Sequence, residues 1–439
     1  MSSLTSIAVN VSAAGLVALP AALAGRTLCR TYAADGEQTT AYRWLLATLA
    51  GLAGLHLWMQ LLDLAGVPWN GWSVLLPLAA AGAAGALRRR GVIDAPATSL
   101  GWGDAGAAGA LLLFAVLLRD ACLTMADVVY HWGIKAHRNL LAGGIDYDFL
   151  RQPWNLNKHP DYPHLVPDLF VATSLLRRSW QEPALLAWSL LFALLVIAGA
   201  REALQRAEVS PFTSRGALAL ISLVYVYFAT SAIMGGSPDL LLAGLLVMAG
   251  PILLSPPGDA GDGQLGWLAA VAVGTKSEGL PLALLLIGVQ LLRRRGAGLA
   301  IRLPTLGRLL LPALLIALPW AVQVARYDLA ETRVRAFDPA RAEAVARGLL
   351  EGMASPLWAG FPFVLLLLPW LLWRRDLRPL AAVVAGQLGA YVLVYLTSPH
   401  DPAWQVRTSI ERLLLHLVPA TLLLAAIALD RRREPITKT

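Results

Sequence analysis

RDACLTMADVVYHWGIKAHRNLLAGGIDYDFLRQPWNLNKHPDYPHLVP, residues 119–167, interrupts an otherwise nearly continuous series of apolar helices with a dense polar, aromatic and charged loop. A membrane protein that places so many ionisable and aromatic residues in one loop is building a site at the water boundary rather than a connector. Outward from that loop, segments 43–66, 305–325, 356–373, 379–397 and 411–429 are each long enough, at about 1.5 Å per residue, to cross a hydrocarbon core of about 30 Å. Composition agrees: 57% of the 439 residues are hydrophobic, 15% are charged, and the mean hydropathy of +0.60 lies outside the range of soluble globular chains. The expected fold is an all-α polytopic membrane protein of about thirteen transmembrane helices, within a range of 11–13, forming a single domain over 1–439.

The opening MSSLTSIAVNVSAAGLVALPAALAG lacks the basic n-region of a secretory signal and is expected to remain as a first membrane helix. The net charge of +8 does not point to nucleic acid, because the arginines sit in short clusters at helix ends, where they anchor against anionic membrane lipids. Arg88 to Arg90, Arg201 with Arg206, Arg293 to Arg295, Arg374 with Arg375, and Arg431 to Arg433 all fit cytoplasmic loops. That topology leaves 120–163, 232–239, 275–279, 326–351 and 398–410 outside. The outer loop 326–351 runs against the rule, since it carries Arg326, Arg333, Arg335, Arg341 and Arg347, but the other clusters outvote it. Cys29 and Cys122 fall on opposite sides, so no disulfide framework is expected.

Inside the first loop, Met125, Val128, Val129, Trp132, Ala136, Leu140 and Leu141 form an apolar stripe that predicts an interfacial helix over 125–142, ended by Gly143-Gly144. A second interfacial helix is expected over 339–350, entered by Asp338 and Pro339. Residues 164–200 read as one bent passage interrupted by Arg177, Arg178 and Pro183. The apolar run 265–292, broken by Thr275-Lys276-Ser277-Glu278-Gly279, reads as a tight hairpin of the kind that lines a cavity.

This topology gathers the unusual polar residues on one side of the membrane: Asp127, Trp132, Lys135, His159, Asp161 and Tyr162 in the first loop, Asp239, Lys276 with Glu278, then His400, Asp401, Arg407 and Arg412. Carboxylates beside fixed cations suit a reaction in which an anionic leaving group is stabilised while a hydroxyl loses its proton. Each residue also has a plain structural reading. Asp127 can serve a helix dipole, Trp132 and Lys135 can anchor at the interface, and Asp239 can cap the helix after Pro238. Lys276 and Glu278 can form a structural pair, and Arg412 can snorkel to headgroups. No zinc-like Cys/His spacing, phosphate-binding glycine loop or dinucleotide fingerprint is present, which argues against a soluble nucleotide donor.

Taken together, DVVYHWGIKAHRNLLAGG (127–144), HPDYPHLVP (159–167), TKSEGL (275–280) and HDPAWQVRTSIERLLLHLVP (400–419) resemble bacterial integral-membrane glycosyltransferases of the GT-C class. The resemblance implies many membrane helices, a large first outer loop, a polyprenyl-phosphate-linked sugar as donor, and an acidic residue of that loop as catalytic base. Asp127 stands at the matching place, with Asp120 in reserve. Many members carry adjacent acidic residues here, whereas this chain has Ala126-Asp127-Val128, so a metal-independent enzyme without cofactor is expected.

The implied reaction transfers the sugar, with inversion, to an envelope glycan, lipid or protein outside a bacterial plasma membrane. Lys276 and Arg412, with Arg407, would hold the phosphate, and His159, Asp161 and Tyr162 would hold hydroxyls. The main rival is a secondary transporter or flippase for an amphiphilic envelope precursor, and a third reading is a non-catalytic scaffold subunit. Transporters usually place ionisable residues at the midplane of paired repeats, and no repeat is visible.

Overall fold

The computed structural model describes residues 3–30, 38–87, 101–119, 129–152, 159–180, 182–231, 236–330 and 337–430, and among these every regular element is helical. In chain order they are α1 (Ser3–Arg30), α2 (Thr40–Leu64), a π-turn (Gly71–Leu75) leading into α3 (Leu76–Leu87), α4 (Trp102–Arg119), α5 (Trp132–Ala142), α6 (Tyr147–Leu150), α7 (Leu165–Arg177), α8 (Glu182–Arg206), α9 (Pro211–Ser231) and α10 (Pro238–Leu254). Then follow α11 (Asp259–Thr275), α12 (Gly279–Gly296), α13 (Leu303–Arg326), α14 (Ala342–Met353), α15 (Leu368–Trp373), α16 (Arg378–Thr397) and α17 (Pro402–Asp430).

Among the described residues, seven helical stretches are long and apolar enough to cross a membrane: Val11–Cys29, Thr40–Leu64, Leu186–Arg206, Pro211–Thr230, Leu303–Arg326, Arg378–Thr397 and Pro402–Asp430. Shorter apolar pieces lie at Gly71–Leu87, Trp102–Leu118, Pro238–Leu254 and Phe361–Trp373. The protein is therefore an all-helical membrane protein.

Two differences from the sequence reading have local causes. The run 356–373 is not one long helix but a short 3₁₀ piece at Pro356–Trp358, a second at Phe361–Leu367, and α15. Pro356, Pro362 and Pro369 cannot continue a helical ladder, and Ala359 and Gly360 both adopt positive φ. The stretch 164–200 is two helices rather than one bent passage, because Arg178 ends α7 in the left-handed region at φ 55°. The 25 residues of α8 then suffice for a crossing on their own.

Helix ends sort into two groups. At the arginine end, Arg201 pairs with Asp104, Arg206 reaches Glu202 and Ser255, Arg294 pairs with Asp262, Arg308 with Asp259, and Ser210 with Asp430. At the other end lie the polar loop, the 276–278 turn, the start of α10 and the region from Asp338 to Asp401. Arg341 donates to the carbonyls of Ser398 and His400 there, which joins the arginine-bearing loop before α14 to residues 398–400.

Close packing holds the bundle. In hydrocarbon the association of helices rests on van der Waals fit, which favours small residues at crossings. Ala21 and Gly25 of α1 face Ala47 and Gly51 of α2, and a β-carbon on Gly25 or Gly51 would stand 1.9 or 1.8 Å from a carbonyl oxygen across the interface. Helix α10 is apolar nearly throughout and buried from Pro238 to Leu253, as expected of a helix enclosed by others.

Candidate functional site

The first loop folds over the bundle end through α5. Gly143 ends that helix in the left-handed region at φ 68°, as the paired glycines predict, and the amide of Trp69 donates to its carbonyl at 2.7 Å. The buried face keeps only part of the predicted stripe, Trp132 and Ala136. Leu141 is 68% exposed, whereas Lys135 and Asn139 are buried beside Trp132 and Ala136. Hydrophobic periodicity cannot foresee a lysine that turns inward onto aromatic rings.

Lys135 Nζ donates to the His159 carbonyl at 2.8 Å and lies 5.1 Å from the Trp132 ring centre and 5.8 Å from that of Tyr162. Trp132 and Tyr162 are stacked at 5.7 Å, and His159 stacks on Tyr162 at 4.6 Å from a backbone of φ 48°. Burial first, then the charges of Lys135, His159, Lys276 and Arg412, holds the His131 imidazole well below the usual histidine range.

Behind this aromatic wall lies a buried ionic cluster. Thr275 ends α11, and Lys276 continues in extended backbone, which carries its side chain toward the start of α10. Lys276 Nζ donates to Asp239 Oδ1 at 3.0 Å and Glu278 Oε1 at 3.1 Å, and it lies 6.0 Å from the Tyr162 ring centre. Burial opposes the Lys276 charge, but the two carboxylates outweigh it and hold the ammonium above the usual lysine value.

Asp239 is saturated by further donors. Ser237 donates its hydroxyl to Oδ2 at 2.5 Å, and His416 Nε2 stands 2.9 Å from Oδ1. Gln387 donates to the Tyr391 hydroxyl at 2.9 Å, and that hydroxyl lies 2.5 Å from His416 Nδ1. His416 thereby links Tyr391 to Asp239 through its two ring nitrogens. Gln387 also donates to the Glu278 carbonyl at 3.0 Å and fixes the turn.

The predicted site residues divide. Trp132, Lys135, His159, Tyr162, Asp239, Lys276 and Glu278 come together, and Arg412 is close enough that its charge acts on both Lys276 and His131. Asp161 supplies its backbone carbonyl to Trp320 Nε1 at 2.9 Å. Asp401 is exposed and accepts from the Trp404 amide at 2.8 Å, the contact of a helix cap, and His400 packs on Trp404 instead of reaching the cluster. Arg407 is exposed and sits about 140° around α17 from Arg412, since five residues turn a helix by about 500°. Asp127 and the reserve candidate Asp120 lie outside the described residues.

His416, Tyr391, Gln387 and Ser237 went unpredicted. One signal was present: His416 is an ionisable residue inside the apolar run LLLHLVP, and such residues mark sites or internal pairings. A second buried polar system was also missed. His56 Nδ1 meets Asp168 Oδ2 at 2.7 Å, Gln60 donates to the same oxygen at 3.3 Å, and Gln323 donates to Gln60 at 3.1 Å.

No family model, curated protein or solved structure matches this chain. The arrangement itself is the guide to function. It offers a buried, ion-paired lysine, a second cation in Arg412, a partly open carboxylate in Glu278 and an aromatic wall, all at one end of the bundle. Among the described residues no group of three or more His, Cys, Asp or Glu side chains is placed to hold a metal ion.

Proposed function

We propose that the protein is a membrane glycosyltransferase of the GT-C type, taking a polyprenyl-phosphate sugar as donor and an envelope glycan, lipid or protein as acceptor. The observation that carries this reading is the convergence of the first polar loop, the start of α10, the 276–278 turn and α17 on one cluster of cations, carboxylates and aromatic rings. A lipid-linked donor would reach such a boundary site from the membrane, with its phosphate near Arg412. Lys276 already binds two carboxylates, so its larger part is to fix them.

In this reaction Asp127 takes the proton of the acceptor hydroxyl, the hydroxyl oxygen bonds to the anomeric carbon from the opposite face, and the carbon–oxygen bond to phosphate breaks with its electron pair going to the phosphate. Cations at the site stabilise that leaving group. The reading includes the about thirteen-crossing arrangement, in which α11, α12 and the shorter apolar elements also traverse, and a site facing outward from a bacterial plasma membrane.

The test is release of polyprenyl phosphate from a panel of lipid-linked sugars by wild-type protein and Asp127→Asn in nanodiscs, with envelope extract as acceptor. Release by wild type and its loss in Asp127→Asn, with donor binding retained, is the expected result. Full activity of Asp127→Asn removes it as the base. A transporter is the second reading, favoured by the ionisable pair His56–Asp168 buried inside the bundle. Uptake into proteoliposomes without phosphate release would select it.

A further inference from the structure

The two carboxylates on Lys276 are not equivalent. Asp239 is fully buried and its oxygens are taken by Lys276, His416 and Ser237. Glu278 is 23% exposed along its side chain and places Oε1 on Lys276, while its Oε2 is itself buried and has no hydrogen-bond partner among the described residues. The ordinary use for an acid at this position is also untaken: Glu278 is the N-cap residue of α12, yet its side chain makes no capping bond. Its placement is nonetheless rigid, with Lys276 holding one oxygen and Gln387 holding the main-chain carbonyl. A fixed carboxylate with one buried, unused oxygen on a side chain that is otherwise part-exposed is a prepared hydrogen-bond acceptor, because an acceptor left unpaired in a buried setting is costly.

We propose that Glu278 Oε2 accepts a hydroxyl hydrogen of the bound substrate, and that the Glu278–Lys276 pair is a subsite for a polyhydroxylated ring. A carboxylate oxygen takes O–H donors strongly, and the neighbouring Lys276 ammonium offers a donor of its own. A hydroxyl is both donor and acceptor, so adjacent hydroxyls of a sugar match this acceptor–donor pair. Asp239 has no part in contact: it and His416 are positioning residues that keep Lys276 in place. The inference rests on the glycosyltransferase reading for the identity of the ligand, but a transporter of a sugar-bearing lipid would use the same subsite.

The test measures binding separately from turnover. Full-length wild type, Glu278→Gln and Glu278→Asp in nanodiscs are titrated with polyprenyl-phosphate hexoses and pentoses and their single-deoxy analogues, and the ligand-induced rise in unfolding temperature is read alongside phosphate release. Glu278→Gln keeps an oxygen for Lys276 but replaces the unpaired acceptor with a donor, so the preferred sugar should bind about 10- to 150-fold more weakly, the loss expected for one hydrogen bond to a charged group. One deoxy analogue should bind wild type as weakly as the parent sugar binds Glu278→Gln, with no further loss when the two changes are combined. Glu278→Asp, which keeps the charge but shortens the reach, should fall between.

Unchanged affinity of folded Glu278→Gln for every sugar, or no response of wild type to any of them, overturns the proposal. Glu278-dependent binding without phosphate release supports the subsite and defeats the enzyme reading. Release with Glu278-independent binding does the reverse.

Discussion

The pair Asp239–Lys276 should dominate the energetics of the site, and a double-mutant cycle measures it. Both side chains are sealed, at 0% and 5% exposure, and lie 3.0 Å apart. In Asp239→Leu, Lys276 retains only the partly open Glu278, and the donors of His416 and Ser237 lose their acceptor. Lys276→Met leaves the Asp239 carboxylate buried with only Ser237 and His416 on its oxygens. Breaking one side of a buried pair costs about 3–5 kcal/mol, whereas replacing both partners by apolar groups is often near neutral. The double variant should therefore be more stable than either single one, with a coupling energy of about 3 kcal/mol or more. Equilibrium denaturation in detergent micelles of wild type, both single variants and the double variant gives the cycle. A coupling below about 0.5 kcal/mol, the level at which independent sites add, would refute the sealed pair.

Three further outcomes follow from the same structure. His131 and His164 are both held well below the usual histidine range, His164 by burial first and then by Lys135 and His56, so both stay neutral in the folded protein. In the unfolded chain they gain protons below about pH 6.5, so stability is full above that value. It is lost as the pH falls below it, by up to about 1.4 kcal/mol per pH unit per ring; denaturation midpoints from pH 7.5 to 5 should show the fall, and a flat profile refutes it. Gly279→Ala should destabilise severely, since its new β-carbon would stand 1.8 Å from the Ala272 carbonyl oxygen, and a normal yield of folded protein at an unchanged unfolding temperature would contradict the packing. Asp127→Asn should abolish phosphate release while sparing donor binding, measured as ligand-induced stabilisation.

The fold was legible where length and hydropathy alone decide it. Helices α2, α13, α16 and α17 lie where apolar runs place them, and Asp338 caps the 3₁₀ turn before α14 by accepting from the Ala340 amide at 3.0 Å. It was illegible where apolar character is continuous but the backbone cannot be, as at Pro356, Pro362 and Pro369. Convergence of Asp239, Lys276 and Glu278 followed from topology, because each lies at a helix end on the same side. Their division of labour did not. Which carboxylate is saturated depends on His416 and Tyr391, and these sit in apolar helices whose facing partners only the packing reveals.

The two buried polar systems act on the same segment. On one side of the end of α11, His56 packs near Gly274, close to Asp168, Gln60 and Gln323; on the other, Asp239, His416, Tyr391 and Gln387 surround Lys276 and Glu278. Burying a polar group is costly unless it is paired, and a buried ion pair is weak evidence for stability. Their effect is selective: α11 must stop at Thr275 and α12 must begin at Gly279, because only that break lets Lys276 reach Asp239 while Gln387 holds the Glu278 carbonyl. A hydrophobic interior would leave the turn free to shift along the helix axis. The polar one fixes Glu278 at the bundle end, with one oxygen on Lys276 and the other buried without a partner among the described residues.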